Sequence, residues 1–380
     1  VNTRMRRAAV ALAAGAMAVS LAACGSAKES GDSNDSSDSA AKKGDDIKVG
    51  LLLPENQTAR YEKFDKPMIE KKVKELTNNK GEVVYANAKQ DASLQNQQVD
   101  TMVTNKVDVL IVDAVDYKAI AGSVKKAKDA GIKVVAFDRL AEGPIDAYTS
   151  FDNVTVGKTQ GEALLQALGD KAKDAQIVMM NGSSTDPNAA QFKEGAHAAL
   201  DGKVKVGREY DTKEWKPENA NANMEGAISA LGKDKIQGVY SANDGMAGGI
   251  ITALKAAGIA NVPVTGQDAE LAGVQRIVTG EQYMSVFKSY PKEAETAGRD
   301  GRRARQGRVA RLHRQRQGRL RHRQGHPRGH RPGRLADEGQ HQGDRHQGRL
   351  LHDRRDLHRQ VQGRLRQDRP QVSGPASWAG

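Results

Sequence analysis

Gly238-Val239-Tyr240-Ser241-Ala242-Asn243-Asp244-Gly245 is a short apolar run that ends in a polar, carboxylate-bearing turn. Some twenty residues on, Val262-Pro263-Val264-Thr265-Gly266-Gln267-Asp268 repeats the design. In an open α/β sheet, ligands bind outside the carboxyl ends of the strands. Two such turns on neighbouring strands place Asn243, Asp244 and Asp268 on one rim. Asn and Asp also cap the helices that follow such strands, so spacing alone leaves capping and ligand contact both open.

Working back from these turns, the chain alternates strand and helix. Asp46–Leu53, Glu82–Ala88, Val107–Asp113 and Lys133–Arg139 read as strands. Helical stretches at Tyr61–Leu76, Leu94–Asn105 and Tyr117–Ala130 separate them. The third strand is nearly all apolar, as a parallel strand buried on both faces must be. The pattern then repeats, with helices Val156–Leu168, Asn188–Leu200, Glu218–Leu231, Ala247–Ala257 and Ala269–Thr279. The strands among them are Gln176–Gly182, Val204–Tyr210, Gly238–Ser241, Val262–Gly266 and Tyr283–Lys288. Strand and helix in regular alternation predict the α/β class with parallel sheets. Two doubly wound lobes, residues 46–151 and 152–288, join by a hinge near Phe151-Asp152-Asn153 and enclose an interlobe cleft. Such clefts are preferred sites for small ligands.

The whole-chain charge of +12 misleads. From Arg299 on there are 22 arginines, no lysine and 7 acidic residues, whereas the rest carries 37 basic and 40 acidic residues. The net positive charge, which would otherwise point to nucleic acid or membrane, belongs to the tail alone. Cys24, the single cysteine, excludes an intrachain disulfide and a Cys-rich metal site. No cofactor or metal is expected. Nor is an enzyme: the body has one histidine, His197, and no phosphate-cradling glycine motif.

At the amino terminus, Arg4, Arg6 and Arg7 precede the apolar run Ala8–Ala23. This is the layout of a secretory signal, residues 1–23. Leu21-Ala22-Ala23-Cys24-Gly25 resembles a bacterial lipobox, which implies lipidation of Cys24 and an extracytoplasmic, membrane-anchored protein. Residues 24–45 are Ser-, Asp- and Gly-rich and read as a flexible tether. No later apolar run approaches the roughly 18 residues needed to span a bilayer.

The body resembles the type I periplasmic sugar-binding proteins, and among them the xylose-binding group of ABC importers. The resemblance rests on Thr58-Ala59-Arg60-Tyr61-Glu62, Phe137-Asp138-Arg139-Leu140, Tyr148–Asn153, Asp186-Pro187-Asn188-Ala189, Trp215–Ala220, the two opening turns, and Val286-Phe287-Lys288. It spans roughly residues 46–298. It implies a clamshell that binds one monosaccharide, D-xylose or a related aldose, and delivers it to a permease with its ATPase subunit. The protein would act as a monomer, without nucleic acid. The implied sugar contacts are Arg60, Asp138, Arg139, Asn188, Asn243, Asp244, Asp268 and Lys288, with Tyr61 and Trp215 as stacking aromatics; the xylose-binding pattern has Trp where Tyr61 stands.

These residue types suit a pyranose: carboxylates accept from hydroxyls, Arg and Lys donate, Asn does both, and aromatic faces cover C–H surfaces. Read alone, Asp138 and Arg139 could equally be a surface ion pair, Trp215 plain core, and Lys288 a solvated strand end. Arg60 is more telling, because the first 298 residues use only seven arginines against 30 lysines. Two other classes fit parts of the chain: a sugar receptor for a membrane sensor kinase, and a nucleic-acid-binding protein acting through the tail.

Residues 299–380 lack Lys, Ile, Phe, Tyr, Met, Asn, Thr and Cys. Taken literally, they form a disordered basic tail. A frameshift in a GC-rich gene explains the bias better. Read one base later, Gln-Gly codons contain a Lys codon and Asp-Arg codons an Ile codon. One synonymous choice yields a helix, an apolar strand and an ending similar to that family's, followed by a stop. The first lobe, completed in that family by chain after residue 289, would then lack its closing elements and expose apolar surface and a sheet edge.

Overall fold

The computed structural model describes residues 45–307 and the backbone of 349–351. The signal segment, Cys24, nearly all of the tether and most of the tail lie outside the described residues.

The first sheet is built from β1 (Lys48–Leu53), β2 (Glu82–Asn87), β3 (Val109–Val112), β4 (Lys133–Phe137) and β5 (Ala147–Thr149), in the order β2-β1-β3-β4-β5. All pairs are parallel. Side chains on these strands alternate between two buried layers. Val49, Leu51, Leu53, Val109, Ile111, Val135 and Phe137 join one cluster, while Leu52, Leu110, Val112, Val134 and Ala136 join the other. That period of two explains the nearly continuous apolar runs: both faces are covered. Helices α1 (Lys66–Leu76), α2 (Ala92–Thr104) and α3 (Ala121–Asp129) supply part of the cover, with Ile69 and Val73 on the first face and Val99, Met102 and Val124 on the second.

The chain enters the second lobe through Ser150–Asp152 and α4 (Asn153–Leu168). There β6 (Gln176–Asn181) lies between β7 (Lys205–Asp211) and β8 (Gly238–Ser241). Residues 262–268, of which Val262–Gly266 read from sequence as a strand, make only isolated bridges: Val264 to Val239 of β8, and Gln267 to Val286 of β9 (Ser285–Phe287). Pro263 still accepts from Val239 N–H, but it has no N–H of its own to donate. Counting this segment as the fourth strand gives a parallel order of second, first, third, fourth, fifth. That is the order of the first sheet, so the two lobes repeat one topology. The backbone of β10 (Arg349–Leu351) pairs antiparallel with β9. Helices α5 (Pro187–Leu200), α6 (Pro217–Leu231), α7 (Asp244–Ala256) and α8 (Leu271–Thr279) complete this lobe.

After β9 the chain returns to the first lobe as α9 (Tyr290–Arg305). It supplies part of the cover that the first lobe was expected to lack. Tyr290, Glu293, Ala294, Ala297, Gly298, Gly301 and Ala304 are buried, a helical stripe of mostly small side chains. Ala294 and Ala297 join the Leu51–Val135 cluster. Arg299–Arg305, assigned to the tail by composition, continue this helix, and Arg305 pairs with Asp108 at 2.9 Å. Among the described residues, β5 is an edge strand only three residues long.

Helices α4 and α5 approach backbone to backbone. A Cβ on Gly157 would lie 1.9 Å from the carbonyl oxygen of Phe192, and one on Gly195 would lie 1.9 Å from that of Val154. Gly157→Ala must therefore push the helices apart. It should destabilise the protein by about 1–3 kcal/mol, measured by urea unfolding. Because α5 carries Asn188 and Phe192, ligand affinity should fall with it.

Candidate ligand-binding cleft

The carboxyl ends of the two sheets face each other. Between them lies a narrow cleft lined by Thr58, Arg60, Tyr61, Asp138, Arg139, Asp186, Asn188, Phe192, Trp215, Asn243, Gln267, Asp268 and Lys288. All but Phe192, which lies within α5, come from a loop or helix start past a strand, as the open-sheet rule requires. Nine of the ten residues singled out from sequence line it; Asp244 does not.

Arg60 is 3% exposed and bonded on three sides. Nε donates to Asp65 at 2.7 Å and Nη2 to Glu293 at 2.7 Å, while Nη1 lies 3.2 Å from Asp138. The ring of Tyr290 sits 4.4 Å from its guanidinium carbon. Arg139 spans the cleft. Nε lies 2.9 Å from Asp186 of the second lobe, and Nη2 donates to the Tyr61 hydroxyl at 3.0 Å. Asp138 and Arg139 are thus not a surface pair: both are buried, and each is matched to a different partner. Lys288 is likewise buried, with Nζ 3.1 Å from Asp268.

Trp215 is 9% exposed and sits edge-on to Phe192 at 6.3 Å. Its indole N–H donates to Asp186 at 3.1 Å. A Cβ on Gly182 would fall 2.0 Å from the indole ring, so only glycine lets the ring lie over the end of β6. Tyr61 lines the cleft, but its hydroxyl is held by Arg139.

Backbone strain clusters here. Asp138 (φ 51°), Trp215 (φ 58°) and Asp268 (φ 92°) all adopt positive φ. Such conformations cost on the order of 1–3 kcal/mol each and persist where surrounding contacts hold them. For Asp138 the holders are visible: its carbonyl accepts from Asn188 Nδ2 at 3.2 Å and from the Tyr148 hydroxyl at 3.3 Å. The Asn188 bond crosses between lobes, as does Tyr117 N–H to Thr185 O at 3.2 Å.

Capping and lining prove compatible. Asn243 caps α7 by accepting from Met246 N–H, and Asp186 caps α5 by accepting from Asn188 N–H; both line the cleft. Asp244 goes the other way. Its carboxylate is wholly buried in the second lobe and accepts from Gln282 Nε2 (2.7 Å), Ser285 Oγ (2.8 Å) and Glu270 N–H (2.9 Å). The reading of Asp244 as a ligand contact is corrected on this ground: its lone pairs are spent on the lobe.

Charge in the cleft is balanced. Arg60, Arg139 and Lys288 face Asp138, Asp186 and Asp268. Burial pushes Asp138 up, but Arg60, Lys288 and Arg139 together outweigh it and hold its carboxyl below the usual range. Burial dominates for Asp186, which is raised despite Arg139. Behind the lining, burial pushes Asp65 up to about 6 against the pull of Arg60, and raises Asp113 and Glu293 strongly. Among the lining residues, Asp138 Oδ1, Asn188 Oδ1 and Gln267 Oε1 are buried acceptors with no hydrogen-bond partner. Unmet buried acceptors are costly; hydroxyl donors would satisfy them.

Thr58, Asp186, Phe192 and Gln267 escaped the sequence-based list. Asp186 and Gln267 stood inside stretches already quoted, where capping and turn chemistry account for such residues. Phe192, four residues beyond Asn188 on α5, carried only the signal of a helical apolar face.

The chain matches the periplasmic binding protein domain family over residues 49–308. It is 36% identical over 259 residues to the D-xylose-binding periplasmic protein of Escherichia coli (strain K12), covering 66% of this chain and 76% of that one. Against the multiple sugar-binding periplasmic receptor ChvE of Rhizobium radiobacter it is 38% identical over 221 residues, 52% of this chain and 62% of the relative. Among solved structures it is similar to an ABC transporter solute-binding protein from Clostridium phytofermentans with bound β-D-glucose. There the TM-score is 0.59 at 28% identity, covering 65% of this chain and 81% of that chain.

Asp244→Ala should lower unfolding free energy by about 2–4 kcal/mol, because it strands buried donors on Gln282, Ser285 and Glu270. The lining of the cleft should survive in the folded fraction. Chemical denaturation followed by tryptophan fluorescence checks the first part; ligand titration of the folded fraction checks the second.

Proposed function

The chain belongs to the periplasmic binding protein family, whose members bind substrates for transport rather than transform them, and on that footing we propose that it is the sugar receptor of an ABC importer. Its ligand is a neutral monosaccharide, D-xylose or a related aldose. One observation carries this reading: a buried, interlobe cleft whose lining has equal numbers of cationic and anionic side chains, partnerless acceptors, and three aromatic rings. An anionic or cationic ligand would upset that balance. A sugar offers hydroxyls that both donate and accept, and C–H faces that suit Trp215, Phe192 and Tyr61.

The relatives named for D-xylose and for multiple sugars support the ligand class. The repeated lobe topology and the two chain crossings, at Ser150–Asp152 and Lys288–Ser289, support opening and closing by a hinge. The lipobox-like stretch at Cys24 supports an acylated, extracytoplasmic anchor. Among the described residues no helix is long and apolar enough to cross a membrane.

Calorimetric titration with D-xylose, D-glucose and D-ribose, with glutamate as a charged control, should show one tight sugar and no binding of the control. Asp268→Ala and Trp215→Ala should each weaken that sugar about ten- to a hundredfold, the scale of a hydrogen bond to a charged group. Binding of glutamate in place of every sugar would overturn the reading.

We also read residues 299–380 as translated out of frame. The abrupt exchange of lysine for arginine from Arg299 on supports this. Resequencing the codons around Ala297–Arg299 should reveal a base gained or lost. A clean in-frame read would refute it.

A further inference from the structure

Glu293 does not line the cleft, yet it is 1% exposed. It projects from α9, 233 residues along the chain from Arg60, and accepts from Arg60 Nη2 at 2.7 Å. Asp65 takes Nε from the other side at 2.7 Å. The Tyr290 ring, 4.4 Å from the guanidinium carbon, fixes the plane. A guanidinium has five N–H donors in a rigid fork. Asp65 and Glu293 claim one on each of two nitrogens, and the ring removes the freedom to tilt. What remains of the fork faces Asp138 and the cleft.

We propose that Glu293, with Asp65, is a positioning residue. It locks the Arg60 fork from outside the cleft, so that ligand affinity depends on how α9 is seated against the first lobe. The inference rests on the sugar-receptor reading above. α9 seats through small side chains: Ala294 and Ala297 lie in the first-lobe core, and a Cβ on Gly298 would lie 3.0 Å from Lys72 Cγ. No bulky anchor holds the helix at these positions. The Glu293–Arg60 pair therefore links the return helix directly to the binding site. Held carboxylate-to-arginine geometry is directional as well as strong, so losing Glu293 frees the Nη2 end of the fork to rotate while Asp65 still holds Nε.

The test uses the full chain with Glu293→Ala and Glu293→Gln. D-xylose is the titrant, and a second readout needs no ligand: the side-chain nitrogen resonances of Arg60 by NMR. In the unaltered protein the two Nη groups should give separate resonances, because rotation about the Cζ–Nη bonds is blocked. In Glu293→Ala they should broaden or merge, and D-xylose affinity should fall about tenfold, the scale of one charge-assisted hydrogen bond. Glu293→Gln keeps an acceptor oxygen of the same reach and should restore separate resonances and most of the affinity. A purely structural role would lower thermal stability in both variants without this rescue. Separate Arg60 resonances in Glu293→Ala, or unchanged D-xylose affinity in that variant, would overturn the proposal. If the unaltered protein takes no sugar, the sugar-receptor reading falls. The NMR comparison still decides positioning: merged resonances in Glu293→Ala support it, and separate ones refute it.

Discussion

Arg60 cannot be buried alone. Removing a guanidinium from water costs several kcal/mol unless carboxylates with good geometry replace the lost hydration. Here Asp65, Asp138 and Glu293 do so, and they come from the helical turn that leads into α1, the end of β4 and the return helix α9. One side chain therefore ties three distant parts of the chain together at the floor of the cleft. Arg139 repeats the arrangement across the cleft, with Asp113 from its own lobe 3.6 Å away and Asp186 from the other 2.9 Å away. The Arg139–Asp186 pair, together with the Asn188–Asp138 and Tyr117–Thr185 bonds, links the two lobes.

Around that floor the carboxylates outnumber the cations. The cationic groups are Arg60, Arg139 and Lys288; the acids are Asp138, Asp186 and Asp268 in the lining and Asp65, Asp113 and Glu293 behind it. Burial resolves the excess by raising the acids behind the lining, while Asp138, closest to several cations, is lowered.

Neighbours in one turn can have opposite fates. Asn243 both caps a helix and lines the cleft, whereas Asp244 turns inward to knit Gln282, Ser285 and Glu270 into the second lobe. Asn243 is the extended residue that precedes α7, whereas Asp244 is the first helical residue and meets Gln282 and Ser285. Asp268 escapes this fate because its positive φ re-aims the chain toward Lys288 and Tyr290.

The α/β class, the positions of most strands along the chain and the turns that form the rim were legible in the sequence, because apolar period and turn chemistry are local. So were nine residues of the cleft, as the resemblance placed Arg60, Asp138 and Asp268 in recognisable stretches. The strand at Val262–Gly266 was over-read, since a proline-interrupted segment keeps its place in the sheet without a full ladder. The inward turn of Asp244, the cover given by α9 and the grip of Glu293 on Arg60 were not legible. Each depends on which side chain meets which across gaps of tens to hundreds of residues, and that is set only when the two sheets and their helices pack. Local chemistry determined the elements and the candidates; burial and the pairing of charges decided which of them share the site.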